Sequence, residues 1–202
     1  MIGIENWFST QIATIDASEV LSCARRKFDA VDFSKYSKDE YKHGQTTYFD
    51  DAAEYAKDPD LAELHYLVCN SVEVFAQQQG VDIKRLQCCV TEMWLNRMMA
   101  DASHAKHVHG SSHYSGTLYV NSPEGAGPIR FHSPLDALWK FCPLPVADEG
   151  NPYTCSYVTH EPTPGKMLAW NSWLDHEVLP GSFSGFRDSI SFNVRLEKRR
   201  TF

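Results

Sequence analysis

The chain has 202 residues, 43% hydrophobic and 22% charged, a globular balance that excludes wholesale disorder and a length that predicts one domain. A formal charge of −7 argues against a general nucleic-acid-binding surface, and no apolar run reaches the roughly 18–20 residues of a membrane span. Met1 to Trp7 lack the basic stretch and apolar core of a secretory signal, so a cytoplasmic location with reduced cysteines is expected.

Asp16, with Glu19 three residues on, has the form of a capping box, and Val20, Leu21, Ala24 and Phe28 follow at helical spacing. Asp58-Pro59-Asp60 opens a stronger helix. There Leu61, Leu64, Leu67, Val68, Val72, Phe75 and Ala76 form one stripe that reads as core, and Gln79-Gly80 closes it. Near residue 82 the periodicity changes. Leu86 to Leu95, Ser115 to Val120, Pro128 to His132, Thr154 to Thr159, Lys166 to Trp170 and Ile190 to Leu196 are rich in β-formers and separated by Gly/Pro turns. The expected fold is mainly β with N-terminal helices, a sandwich or double-sheet roll whose helical layer covers one sheet. Residues 1–202 are read as one domain. In it, 1–82 are mostly helical support with an N-terminal strand, and 83–197 are the roll. The stretch from Leu135 to Asn151, with Trp139, Phe141 and Pro143, reads as a long loop, either a lid or an ordinary surface excursion.

Four of the nine histidines fall between His104 and His113. In an extended chain residues two apart share a face, so His107 and His109 can converge on one point, the first half of a metal site. A third ligand must come from elsewhere, and His176, just after a predicted strand, is the candidate. Taken alone, the H-x-H pair is equally a pair of surface or hydrogen-bonded histidines. Eleven residues after His176, Arg187 opens the strand that ends Phe192-Asn193-Val194. An arginine buried there needs an anion, either a dicarboxylate cosubstrate or an Asp or Glu of the fold.

Three segments carry a resemblance: His107-Val108-His109-Gly110-Ser111-Ser112-His113-Tyr114-Ser115-Gly116-Thr117-Leu118-Tyr119, then Asn171-Ser172-Trp173-Leu174-Asp175-His176, then Arg187-Asp188-Ser189-Ile190-Ser191-Phe192-Asn193. Thr46-Thr47-Tyr48-Phe49 and Trp94-Leu95-Asn96 add to it. In this order they resemble the iron(II)/2-oxoglutarate-dependent oxygenase superfamily. More narrowly they resemble an uncharacterised phage and bacterial family with an H-x-H-P-x-S-x-x-S-G-x-Y-Y signature. The resemblance implies a double-stranded β-helix, a cupin-like jelly roll. It also implies Fe(II) and 2-oxoglutarate, and hydroxylation of a small-molecule or peptide substrate with succinate and CO2 as co-products. His176 matches the distal metal ligand and Arg187 the 2-oxoglutarate-binding arginine, with Ser189 beside it. Tyr119 and Asn96 are further candidates at the cosubstrate, although each is equally a packed core residue. His109 stands where the superfamily has Asp or Glu. The preferred ligand set is therefore His107, His109 and His176; otherwise water or a distant carboxylate such as Asp101 or Asp136 completes the shell. Two rivals remain: a cupin-like three-histidine dioxygenase that does not use 2-oxoglutarate, and a non-catalytic jelly-roll binding module. No nucleic-acid or membrane partner is expected, and an oligomer is compatible with the sequence.

Overall fold

A computed structural model of the chain describes residues 2–3, 8–36, 44–141 and 151–199. In chain order its elements are β1 Ile12–Asp16, α1 Leu21–Ala30, β2 Gly44–Thr46, α2 Tyr48–Tyr55, α3 Ala62–Gln78, β3 Leu86–Met98 and β4 His104–His107. They continue with β5 Tyr114–Asn121, β6 Ile129–His132, α4 Asp136–Phe141, β7 Tyr157–His160, β8 Lys166–Asn171, β9 His176–Val178 and β10 Arg187–Lys198. Two antiparallel sheets result, a larger one in the order β1-β8-β5-β10-β3-β2 and a smaller one in the order β4-β9-β6-β7. The mainly β roll with N-terminal helices is the fold expected from the sequence.

The alternation of side chains along β10 explains the layers. From Arg187 the strand reads R-D-S-I-S-F-N-V. Ile190, Phe192 and Val194 point to one face and join Met93, Leu95 and Leu118 from the neighbouring strands. Against that face lies the α3 stripe of Leu64, Val68, Val72, Phe75 and Ala76. Arg187, Ser189, Ser191 and Asn193 take the opposite face, toward the smaller sheet. A second, smaller core of Tyr119, Ile129, Phe131, Leu168, Trp170 and Leu174 packs strands of the two sheets together. The outer layer thus supplies the larger apolar core, and the interior of the roll is free to carry polar side chains.

Two expectations change. Asp16 ends β1 and accepts from the backbone N–H and hydroxyl of Ser18, at 3.0 and 2.6 Å, so it shapes a turn. The helix proper starts at Leu21, after a 3₁₀ turn over Ser18–Val20, and has no side-chain cap, so there is no capping box. The Leu135–Asn151 loop opens instead with α4, where Lys140 pairs with Asp136 one turn away. Its remainder, with Pro143 and any lid role, falls in 142–150, outside the described residues. Among the described residues no helix is long and apolar enough to cross a membrane.

Gly116 faces Phe192 across the β5–β10 pair. A Cβ there would collide with the Phe192 ring and the Leu168 carbonyl oxygen. Gly116→Ala is expected to destabilise the fold by about 1–3 kcal/mol, the range for overpacking a filled core. Denaturant unfolding measures this, and an unchanged midpoint would contradict the close packing at this crossing.

Candidate metal centre

Strand pairing assembles the histidines. β4 and β9 run antiparallel with His107 directly opposite His176. Two residues past the end of β4, the His109 N–H donates to the Ser172 carbonyl at 2.9 Å, which ties the H-x-H segment to the turn before His176. One ligating atom from each of His107, His109 and His176 lies within 4.8 Å of the others. Among the described residues this is the one group of His, Cys, Asp or Glu with such spacing.

Hydrogen bonds fix how two of these rings are presented. His107 Nδ1 lies 2.8 Å from the Ala105 carbonyl, and His176 Nδ1 lies 2.9 Å from the Leu174 carbonyl. A carbonyl only accepts, so each Nδ1 carries the proton and each Nε2 keeps its lone pair for a metal. His109 Nδ1 lies 3.5 Å from the Asn193 amide nitrogen. That amide is held in turn by the Glu92 carboxylate at 2.6 Å and the Ser115 hydroxyl at 2.7 Å.

Burial keeps the cluster neutral. Loss of hydration, then the neighbouring imidazoles, pushes His176 down to about 3 and His109 down to about 4. His107 is lowered by the same burial. The neutral imidazole is the form that binds a metal. In the unfolded chain these rings take up protons near the ordinary value of about 6.5. The metal-free protein should therefore lose stability as pH falls from about 6.5 toward about 4, where only the unfolded state is protonated. Thermal melting of the metal-free protein across this window tests it. A midpoint that does not move would contradict a buried, neutral histidine cluster.

Among the described residues no carboxylate joins the group. Asp136 is paired with Lys140 in α4, and Asp101 is exposed in a turn with φ of 64°. Asp175, next to His176 in sequence, lies 3.6 Å from Lys106. His113 is turned away, its Nδ1 accepting from the Leu196 backbone at 3.0 Å.

Arg187 is 3% exposed. Ile190 and Phe192, further along the same strand, face the helices, whereas Arg187 lies on the opposite face with Ser189 and Ser191, inside the roll. Nη1 donates to Met98 Sδ at 3.0 Å, and the guanidinium stands 5.1 Å from the centre of the Tyr119 ring. Nε has no acceptor. The adjacent carboxylate, Asp188, is held by Arg97 through two bonds of 2.9 Å. Among the described residues no Asp or Glu pairs with Arg187. The Tyr119 hydroxyl and Trp170 Nε1 are likewise buried donors without acceptors. Arg187 and Trp170 line the same cavity and the Tyr119 ring adjoins the guanidinium, so a ligand rich in oxygen acceptors would meet these donors.

A family model for 2OG-Fe(II) oxygenases matches residues 92–193, a span that contains the three histidines and Arg187. The chain belongs to this family.

As a 2OG-Fe(II) oxygenase it is an oxidoreductase dependent on Fe(II) and 2-oxoglutarate. No curated protein matches the chain. Solved structures share the fold at low identity. The epimerase SnoN from nogalamycin biosynthesis, described as α-ketoglutarate-dependent, is 13% identical over 95% of this chain and 79% of its own, with a TM-score of 0.63. HygX from Streptomyces hygroscopicus, solved with nickel and 2-oxoglutarate, is 15% identical over 93% and 83%, with a TM-score of 0.58. A prolyl-4-hydroxylase from Pseudomonas putida is 16% identical over 95% and 94%, with a TM-score of 0.52.

In the oxygenase the three histidines, Arg187, Ser189 and Asn96 line one cavity. Asn96 is engaged by the fold: its Oδ1 accepts from Thr46 at 2.8 Å and its Nδ2 donates to Ser191 at 3.1 Å. Sequence reasoning missed Met98 as the partner of Arg187, and Ser191 and Thr117 as lining residues. His104, which opens the histidine run, lines the cavity as well, its ring centre 4.0 Å from that of His107. The period-two alternation of Trp94, Asn96 and Met98 along β3 was the available signal. A larger groove of ≈ 460 Å³ between β1 and α3, lined by Ala13, Ile15, Val74 and Phe75 among others, carries no titratable side chain.

Proposed function

We propose that His107, His109 and His176 hold the Fe(II) and that Arg187, with Tyr119 and Ser189, holds the far carboxylate of 2-oxoglutarate. On this reading the enzyme hydroxylates a small-molecule or peptide substrate, with succinate and CO2 as co-products. The observation that carries the reading is Arg187: a buried cation with no carboxylate partner among the described residues, in the same cavity as three neutral imidazoles. When bound, Fe(II) and 2-oxoglutarate together activate oxygen for attack on an unactivated C–H bond, the cosubstrate being decarboxylated to succinate.

The donor set fits such a group. His107 and His176 present Nε2 lone pairs locked by backbone carbonyls. Three neutral imidazoles contribute no negative charge, so the charge that balances the ion would come from the cosubstrate's carboxylate. Arg187 offers a planar fork to a carboxylate, and the Tyr119 hydroxyl is a further donor beside it. Trp170 and Phe131 pack on the His176 ring, with centres at 4.8 and 6.0 Å, and keep water from that side. Asn96 holds Ser191 in place rather than reaching for a ligand. A three-histidine dioxygenase that dispenses with 2-oxoglutarate would leave Arg187 buried with no counter-ion.

The test is aerobic turnover of the Fe(II)-loaded protein. 2-Oxoglutarate should be consumed with one succinate formed per molecule, slowly without substrate and faster when the substrate is found. No succinate above a metal-free control would refute the reading.

A further inference from the structure

The inner face of β3 and β10 changes character along its length. Arg187 stands opposite Met98 at one end, Ser191 opposite Trp94 in the middle, and Asn193 opposite Glu92 at the other. Met98 and Glu92 are about 20 Å apart along the strand. The Arg187 end is closed and cationic. The Glu92 end is half-buried and anionic. Glu92 Oε2 accepts from the Asn193 amide at 2.6 Å, and among the described residues no lysine or arginine pairs with the carboxylate.

Aromatic rings adjoin that carboxylate. Trp94 is 7% exposed, Tyr48 38% and Phe49 48%. The Tyr48 ring meets Trp94 at 4.9 Å and 61°, and Phe49 at 5.3 Å and 75°. The rings therefore turn differently oriented faces along one ledge. Trp94 carries that ledge to the histidines, 5.9 Å from His109. The Glu92 charge also reaches Tyr48, where it adds to burial in raising the phenol.

We infer that this ledge is a substrate site and that the substrate presents an alkylated ammonium group to Glu92, Tyr48 and Trp94. The inference rests on the proposed oxygenase reading and adds the substrate class. Aromatic faces and a lone carboxylate repel an anion and gain little from a neutral group. Both attract a weakly hydrated cation. Alkylation matters because the ring faces offer no hydrogen-bond acceptors, which leaves the Tyr48 hydroxyl and the second Glu92 oxygen. A primary ammonium, with three N–H donors, would have more donors than these two acceptors meet, whereas an alkylated one presents methyl groups to the ring faces. The formal charge of −7 draws cations toward the protein from a distance. The bound group would lie beside the Asn193 amide that touches His109, which brings its neighbouring carbons to the metal centre.

The probe is tetramethylammonium, with tert-butyl alcohol as a neutral molecule of the same size and shape. Each is titrated by calorimetry into the anaerobic Fe(II)–2-oxoglutarate protein, and again into the metal-free protein. Tetramethylammonium is expected to bind about tenfold tighter than the alcohol, and Glu92→Gln and Tyr48→Leu should each remove about that tenfold. The metal-to-ligand charge-transfer band of 2-oxoglutarate on Fe(II) should persist in both variants. Equal affinity for the two probes, no binding of either, or binding untouched by Glu92→Gln would overturn the inference. A band lost in Glu92→Gln would put the carboxylate in the metal shell and also overturn it. A wild-type protein that shows no band refutes the 2-oxoglutarate reading instead, and the metal-free titration still decides the ledge.

Discussion

Arg187→Gln is expected to weaken 2-oxoglutarate binding by about 2–4 kcal/mol, the usual cost of truncating one side of a desolvated charge pair. The size follows from the setting. The guanidinium is 3% exposed, and its contacts are a thioether and an aromatic ring rather than a carboxylate. Such a cation gains most from an arriving anion, because no protein anion has to be displaced and little water remains to compete. Arg187→Lys should rescue only part of the loss, since a point charge cannot reproduce the planar fork. Iron content should be unchanged, because the arginine is not a ligand in this account. Anaerobic titration of 2-oxoglutarate into the Fe(II) proteins, followed by the charge-transfer band, measures all three effects. A band of unaltered affinity in Arg187→Gln would remove this residue from the cosubstrate site.

His107→Ala and His176→Ala should each lower iron affinity by more than about a hundredfold. That exceeds the 10–100-fold loss typical of removing a residue that only supports a ligand. The two residues face each other across the β4–β9 pair, and each has its Nδ1 proton taken by a carbonyl. His109→Ala should behave like them if the third ligand is an imidazole. His104→Ala separates the cluster from a mere surface group. Its ring packs on His107 at 4.0 Å but lies outside the set of three, so a loss of about tenfold is expected. Metal analysis after anaerobic reconstitution, with circular dichroism to check folding, gives the readout. Equal small losses for all four variants would mean that no three of them form the shell.

Much of this arrangement could be read from the chain because it rests on periodicity. The α3 stripe and the alternation of Ile190, Phe192 and Val194 mark the faces that meet in the outer core. His107 and His109 stood out through their spacing of two, and His176 and Arg187 through their order after it. The short strands did not show themselves. β4 is His-Ala-Lys-His and β9 is His-Glu-Val, polar sequences that become strands only through pairing with each other and, for β9, with β6. The surroundings of Arg187 were hidden for a related reason. Apolar residues adjacent to it in sequence lie on the opposite face, and Met98 reaches it through a strand register that a bulge near Asn193 helps to set. The commitment of Asp188 to Arg97 and of Asn96 to Thr46 and Ser191 also depends on residues distant in the chain.

A crystal structure of the anaerobic protein with Fe(II) and 2-oxoglutarate tests the central claim most directly. The account predicts one iron bonded to nitrogens of His107, His109 and His176 at about 2.0–2.2 Å, the distances of imidazole–metal bonds. It also predicts the far carboxylate of 2-oxoglutarate on the Arg187 guanidinium. An iron bound through an Asp or Glu side chain in place of His109, or a cosubstrate carboxylate seated away from Arg187, would contradict it.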